Sequence, residues 1–294
     1  MYQRIVITGA SGGLGQVLFQ ALSRSHTVLG TCFQHPAPAL QVLDLRNRQA
    51  AVELFSAFKP DLIINTVAWT DVDGCEQDFA RAFDLNVETA VSVRLAAQAT
   101  GARVLHISTN DIFSGQEPLC TEQITPHPIN VYSQTKYMAE QVFADLPGVL
   151  ILRFTFLSWW ATGKTAFARW LVESLRKGHH VGLFTDQYNA PLYVGTLLEW
   201  LEQLWGLEGV YHLASERRSR WDAGMAIARG LNLDTTLIGE ASVHQSVLPA
   251  PRPVDVSLSA AKLTADTGLQ TTFTAEVQKL LAHLPQDLRE LLSA

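Results

Sequence analysis

Tyr132 and Lys136 stand four residues apart in Tyr132-Ser133-Gln134-Thr135-Lys136, so on a helix they share one face. An ammonium held beside a phenol favours the phenolate and draws its pKa down from about 10 toward working pH. Such a tyrosine can pass a proton to a ketone oxygen while a nicotinamide delivers hydride to the carbon. Alone, the spacing is commonplace and describes a solvated helix pair more readily. Placement gives it weight. It follows a strand-like run ending His106-Ile107-Ser108-Thr109, where a hydroxyl can share the same carbonyl oxygen.

Gly9, Gly12 and Gly15 form a GxxGxxG between the first strand-like run and the first helical stretch. Glycines at this spacing permit a tight turn, close approach of backbone to a pyrophosphate, and close helix-on-strand packing. The helix N-terminus then offers N–H groups and a positive dipole end to the phosphates. Two look-alikes are set aside. Gly9-Ala10-Ser11-Gly12-Gly13 reads GxSxG, but a hydrolase nucleophile elbow follows several strands and only eight residues precede this one. Gly163-Lys164-Thr165 resembles the tail of a phosphate-binding loop, but Ser158 stands where its first glycine is required. The second strand runs out in Gly30-Thr31-Cys32-Phe33-Gln34-His35, with no acid for a ribose 2′-hydroxyl, which leans the reading toward NADP. No Arg or Lys stands in that stretch either.

The elements that must position these groups alternate. Strand-like 4–8, 27–31, 41–43, 62–65, 103–107 and 149–152 are interleaved with helical 14–24, 47–58, 78–100 and 131–144. That rhythm predicts an α/β fold, a Rossmann-type doubly wound parallel sheet. Past residue 155 it loosens, which predicts a smaller C-terminal α+β substrate lobe sharing a cleft with the first domain. The expected division is 1–155 for the NAD(P)-binding domain and 156–294 for the lobe, with some segments returning to the first.

Of 294 residues, 22 are Lys or Arg and 28 Asp or Glu, a net charge of −6 that argues against a nucleic-acid footprint. No uncharged apolar run approaches the roughly 18 residues of a membrane span, so no membrane partner is expected. Cys32, Cys75 and Cys120 lie far apart, which argues against a disulfide framework and for a reducing, cytoplasmic setting; Met1-Tyr2-Gln3-Arg4 does not read as a signal peptide. His179-His180 lacks an acidic partner at ligand spacing and reads as a loop, so no metal site is expected. Trp200 and Trp205 read as core, and Trp159-Trp160 as divided between core and pocket wall. Arg217, Arg218 and Arg220 read as a solvated loop, with a diphosphate contact as the alternative.

Together, Thr8 to Gly15, Asp44-Leu45, Asn65 to Ala68, Asn86-Val87, Ser108-Thr109 and Tyr132 to Lys136 resemble the extended short-chain dehydrogenases. Within these the chain is most similar to the dTDP-4-dehydrorhamnose reductase group, nearly end to end. Narrower marks are Ala68-Trp69-Thr70-Asp71-Val72-Asp73, Pro128 to Tyr132, Asp186 to Pro191, Gly209 to Leu213 and Arg252-Pro253. The resemblance implies a catalytic trio of Thr109, Tyr132 and Lys136, with Asn86 supporting a proton relay. It implies dinucleotide contacts from Gly9, Ser11, Gly12, Leu14 and Gly15, from Asp44, Leu45, Val67, Ala68 and Asn86, and from Tyr132 and Lys136. Trp69, Thr70, Asp111, Phe156 and Arg252 would face a nucleotide sugar. The implied reaction reduces a keto group on a nucleotide-linked deoxysugar with NADPH, NADH being the alternative; a homodimer stays open. The group usually carries Asp-Tyr where this chain has Asn110-Asp111, and Arg-Thr-Ser-Trp in place of Arg153 to Phe156. About two extra residues precede Phe167, and Asn189 and Leu192 replace Gly and Thr. These changes alter the expected pocket and leave the expected chemistry. A different class of reading is a catalytically silent dinucleotide-binding subunit like the regulatory subunit of methionine adenosyltransferase.

Overall fold

A computed structural model describes residues 2–160 and 165–293; Gly163 and Lys164, and with them part of the segment before Phe167, lie outside the described residues. The chain divides into two compact units. One comprises Met1–Ile112, Pro128–Arg153 and Leu204–Tyr211; the other Phe113–His127, Phe154–Gln203 and His212–Ala294. Residues 113–127, placed by the sequence in the first domain, thus group with the second unit.

The first unit is built on β1 (Arg4–Thr8), β2 (Thr27–Cys32), β3 (Gln41–Val42), β4 (Leu62–Asn65), β5 (Arg103–Ile107) and β6 (Val149–Arg153). Their order is β3-β2-β1-β4-β5-β6, all parallel pairs, with the Gly209–His212 strand added beyond β6. Ile5, Val6 and Ile7 of β1 and Ile63 and Ile64 of β4 are fully buried. Continuous apolar runs of this kind belong to a parallel sheet covered on both faces. Strand order reverses between β1 and β4, the switch point outside whose carboxyl ends ligands bind in such sheets. Helices α1 (Gly13–Leu22), α2 (Arg48–Phe58), α5 (Thr89–Thr100) and α6 (Val131–Val142) connect the strands. Phe55, Val93 and Phe143 pack with Val6, Ile63, Val104 and Ile151 in one apolar cluster.

The helix expected over 78–100 runs from Phe79 to Thr100, with a π-helical turn inside it. The chain makes α3 (Val72–Gln77) and α4 (Phe79–Phe83), then a π-helical turn over Asp84–Glu88, before α5. Asp78, at φ −141° and ψ 80°, separates α3 from α4, and its side chain accepts Arg81 N–H. The wide turn that follows carries Asn86.

The second unit packs the Phe167–Arg176, Arg220–Gly230 and Phe273–Ala282 helices around Leu171, Leu183, Leu263 and Leu280. Its strands pair two by two, Val181–Phe184 with Ile238–Ala241 and Phe156–Leu157 with Leu192–Tyr193 in parallel, and Tyr188–Asn189 with Arg218–Ser219 antiparallel. Among the described residues no helix is long and apolar enough to cross a membrane.

Candidate active site

Gly9 turns the chain out of β1 with φ +71°, a conformation open to glycine, and its carbonyl accepts Gly12 N–H at 2.9 Å. The loop is tied to β2 by Ala10 N–H donating to Thr31 O at 2.8 Å. A Cβ on Gly15 would lie 2.2 Å from Gly9 O, so this glycine lets α1 sit on the strand exit. Gly12 differs: a Cβ there would meet only Gly9 O at 3.3 Å. Space lies over Gly12, and no side chain caps the N-terminus of α1. Ser11 is half-buried at this turn, while the Leu14 side chain points into the core.

At the exit of β3, Leu45 is buried and Asp44 is ion-paired with Arg46 at 2.7 Å. That pairing holds the Asp44 carboxyl below the usual carboxylate range. Thr8, Asn65 and His106 stand side by side across β1, β4 and β5. Thr8 donates to Asn65 Oδ1 at 2.7 Å, and Asn65 Nδ2 lies 3.1 Å from His106 Nδ1. Burial holds His106 neutral, and the nearby Lys136 acts in the same direction.

Beyond β4 the chain runs through half-buried Val67, Ala68 and Trp69 to exposed Thr70. Asn86 accepts Trp69 N–H at 2.7 Å and donates to Thr135 Oγ1 at 2.8 Å, and Thr135 in turn donates to Tyr132 O at 2.9 Å. One side chain on the π turn therefore ties the β4 exit to α6. The guanidinium of Arg81 lies 4.4 Å over the Trp69 ring.

Helix α6 begins at Asn130, whose side chain accepts Ser133 N–H at 2.8 Å, while Glu76 of α3 accepts Val131 N–H at 2.9 Å. Tyr132 and Lys136 are both buried on the face that α6 turns inward. Thr109, two residues past β5, is buried together with Tyr132, and Lys136 Nζ donates to Ile107 O at 2.8 Å. The trio therefore assembles at the carboxyl end of β5. Below it, Glu140 accepts from Ser108 and from Arg153 at 2.9 and 2.6 Å. This buried group had no signal in the sequence beyond helical spacing, since Arg153 comes from the next strand. The N-cap was legible in Asn130 preceding the helical run.

The electrostatics correct one expectation. Burial raises the Tyr132 phenol well above its ordinary value, the Asp111 carboxylate pushes the same way, and only the Thr109 hydrogen bond opposes them. Lys136 does not supply the expected lowering. Its own pKa is drawn down to about 8 by burial, against which Glu140 pulls upward. Asp111 is half-buried, and its N–H donates to Thr109 Oγ1 at 3.2 Å.

In the second unit, Phe156 sits edge-on between Phe154 and Trp160, and the Arg252 guanidinium donates to Ala250 O at 2.8 Å. Arg217, Arg218 and Arg220 are half-buried, and Arg218 and Arg220 belong to a short strand and the start of a helix where a loop was expected. Arg217 lies 3.5 Å over Tyr188 and pairs with Asp255 at 2.6 Å, and Arg220 lies 4.2 Å over Phe167. Trp200, Trp205 and Trp159 are core residues.

The residues of the first unit fit a dinucleotide: an uncapped helix N-terminus with room above Gly12, at the switch point of a parallel sheet, beside a buried Tyr/Lys pair. The profile of the RmlD substrate binding domain family matches residues 3–286. The chain belongs to that family. A probable low-salt glycan biosynthesis reductase, Agl14, of Haloferax volcanii is 31% identical over 278 residues, covering 89% of this chain and 91% of that protein. The crystal structure of a dTDP-4-dehydrorhamnose reductase from Bacillus anthracis in complex with NADP superposes with a TM-score of 0.87. It is 25% identical and covers 97% of this family member and all of that chain. The mouse methionine adenosyltransferase 2 subunit beta is 27% identical over 304 residues, covering 95% of this chain and 87% of that protein.

Proposed function

We propose that the chain is an NAD(P)H-dependent reductase of a keto group on a nucleotide-linked deoxysugar. The observation that carries the reading is the burial of Tyr132 and Lys136 together on α6, with Thr109 buried past β5 and Lys136 Nζ bonded to Ile107 O at the end of that strand. A reduced nicotinamide, when bound, would supply the hydride for the carbonyl carbon. Tyr132, held protonated by burial and by Asp111, donates its proton to the carbonyl oxygen. Thr109 aims that hydroxyl and hydrogen-bonds the same oxygen. Lys136 holds the cofactor ribose, and its charge is retained with help from Glu140. Gly9, Ser11, Gly12, Leu14 and Gly15 accept the pyrophosphate, with Asp44, Leu45, Val67 and Ala68 around the rest of the dinucleotide. Asn86 positions the Trp69 backbone against α6, and supports the proton path by that placement.

In this reading the first unit serves the dinucleotide and the second the sugar nucleotide. Trp69, Thr70 and Asp111 are proposed for the substrate on the first unit, and Phe156 and Arg252 on the second. The setting is cytoplasmic, to which three free cysteines are suited, and the assembly a homodimer, which sedimentation tests. Retention of Thr109, Tyr132 and Lys136 together favours an enzyme over a silent subunit, despite the 27% identity to the mouse protein. A screen of nucleotide keto-sugars by NAD(P)H consumption tests the proposal; association with an adenosyltransferase and no turnover would favour the subunit.

A further inference from the structure

Arg46 stands thirteen residues after Phe33 in the sequence, yet its guanidinium lies 5.2 Å from the Phe33 ring centroid. Phe33 is the first residue past β2 and is 41% exposed. The junction is fixed by backbone: Leu43 N–H donates to Cys32 O at 2.8 Å, and the neighbouring Thr31 O accepts from Ala10 of the glycine loop at 2.8 Å. Arg46 is thereby held beside the dinucleotide cradle, at the strand end where a cofactor ribose is read. The stretch from Phe33 to Leu43 contains no carboxylate to bond a ribose 2′-hydroxyl or to repel a phosphate.

Asp44 engages one edge of the guanidinium, taking Nε at 2.9 Å and Nη2 at 2.7 Å. Asp44 and, from further off, Asp84 keep Arg46 charged. Of the five guanidinium donors, this leaves those of Nη1 and one on Nη2 directed away from Asp44. A fixed guanidinium with donors to spare, stacked on an aromatic ring, suits a phosphate monoester better than a hydroxyl. We propose that Arg46 reads the cofactor's 2′-phosphate and so makes the chain select NADPH over NADH, an inference that rests on the dinucleotide reading of the glycine loop.

Calorimetric titration of NADP⁺ and NAD⁺, with no substrate present, tests this. The parent protein should bind NADP⁺ more tightly. Arg46→Gln should weaken NADP⁺ by about tenfold or more, the scale of a lost charge-assisted hydrogen bond, while NAD⁺ affinity holds or improves. Arg46 is exposed, so the variant should keep the parental melting midpoint. An unchanged NADP⁺ to NAD⁺ ratio in Arg46→Gln, or equal weakening of both, would reduce Arg46 to a surface ion pair and overturn the proposal. Binding of neither nucleotide by the parent would instead overturn the dinucleotide reading, and this inference with it.

Discussion

Burial decides the protonation of both central residues, and in opposite senses. It disfavours the charged form of each, so the Tyr132 phenol stays protonated and the Lys136 ammonium is weakened. A protonated phenol is the form a reductase needs as acid. Lys136 is charged below about pH 8 in the free protein and loses its proton as pH rises through that value. Since an anionic cofactor binds the charged form better, NADP⁺ affinity should be level at neutral pH and fall above pH 8. Titration calorimetry from neutral to alkaline pH reads this directly, and constant affinity up to the ordinary lysine range would remove Lys136 from the cofactor site. The Tyr/Lys pair was legible from its spacing. The direction of the tyrosine shift was not, because burial and the approach of Asp111 are properties of the folded chain.

The glycine loop separates two roles that one motif conceals. Gly15→Ala forces a Cβ into the Gly9 backbone and should destabilise the protein by about 1–3 kcal/mol, read as a lower urea midpoint. Gly12→Ala meets far less of the protein, so the fold should hold while dinucleotide affinity drops. Reversed outcomes would misplace the pyrophosphate. On α6, Glu140→Ala removes the carboxylate that pairs with the buried Arg153 guanidinium and should cost about 3–5 kcal/mol. Urea unfolding measures it, with Glu140→Gln as the milder comparison. The alternation of strands and helices was readable because apolar runs and helical stretches follow one another at regular spacing. The π turn over Asp84–Glu88 was not, since its Asn86 takes partners, Trp69 and Thr135, that lie elsewhere in the chain. Arg46 escaped for a similar reason: a window at the end of β2 cannot show a side chain arriving from beyond β3.

Across the whole molecule, a net charge of −6 means that an anionic sugar nucleotide must be held by local donors and not by a general field. The family resemblance was legible nearly end to end, and the family profile covers residues 3–286. The sequence departs from the reductase group at Asp111, where that group usually has an aromatic residue. Activity on dTDP-4-dehydrorhamnose should therefore be poor beside that on a sugar with a different hydroxyl or amino pattern. Turnover of the rhamnose precursor at about 10 per second, a typical enzyme rate, would remove the reason to expect another substrate.

The central claim is that Tyr132 supplies the proton in a hydride-transfer reaction, and one comparison tests it most directly. NADPH oxidation by the parent protein and by Tyr132→Phe should be followed with the best keto-sugar from the screen, alongside NADP⁺ affinity for both. Loss of one general acid is worth about 10² to 10⁴ in rate, so Tyr132→Phe should lose that much kcat and keep its NADP⁺ affinity. Reduction by Tyr132→Phe at the parental rate would contradict the account.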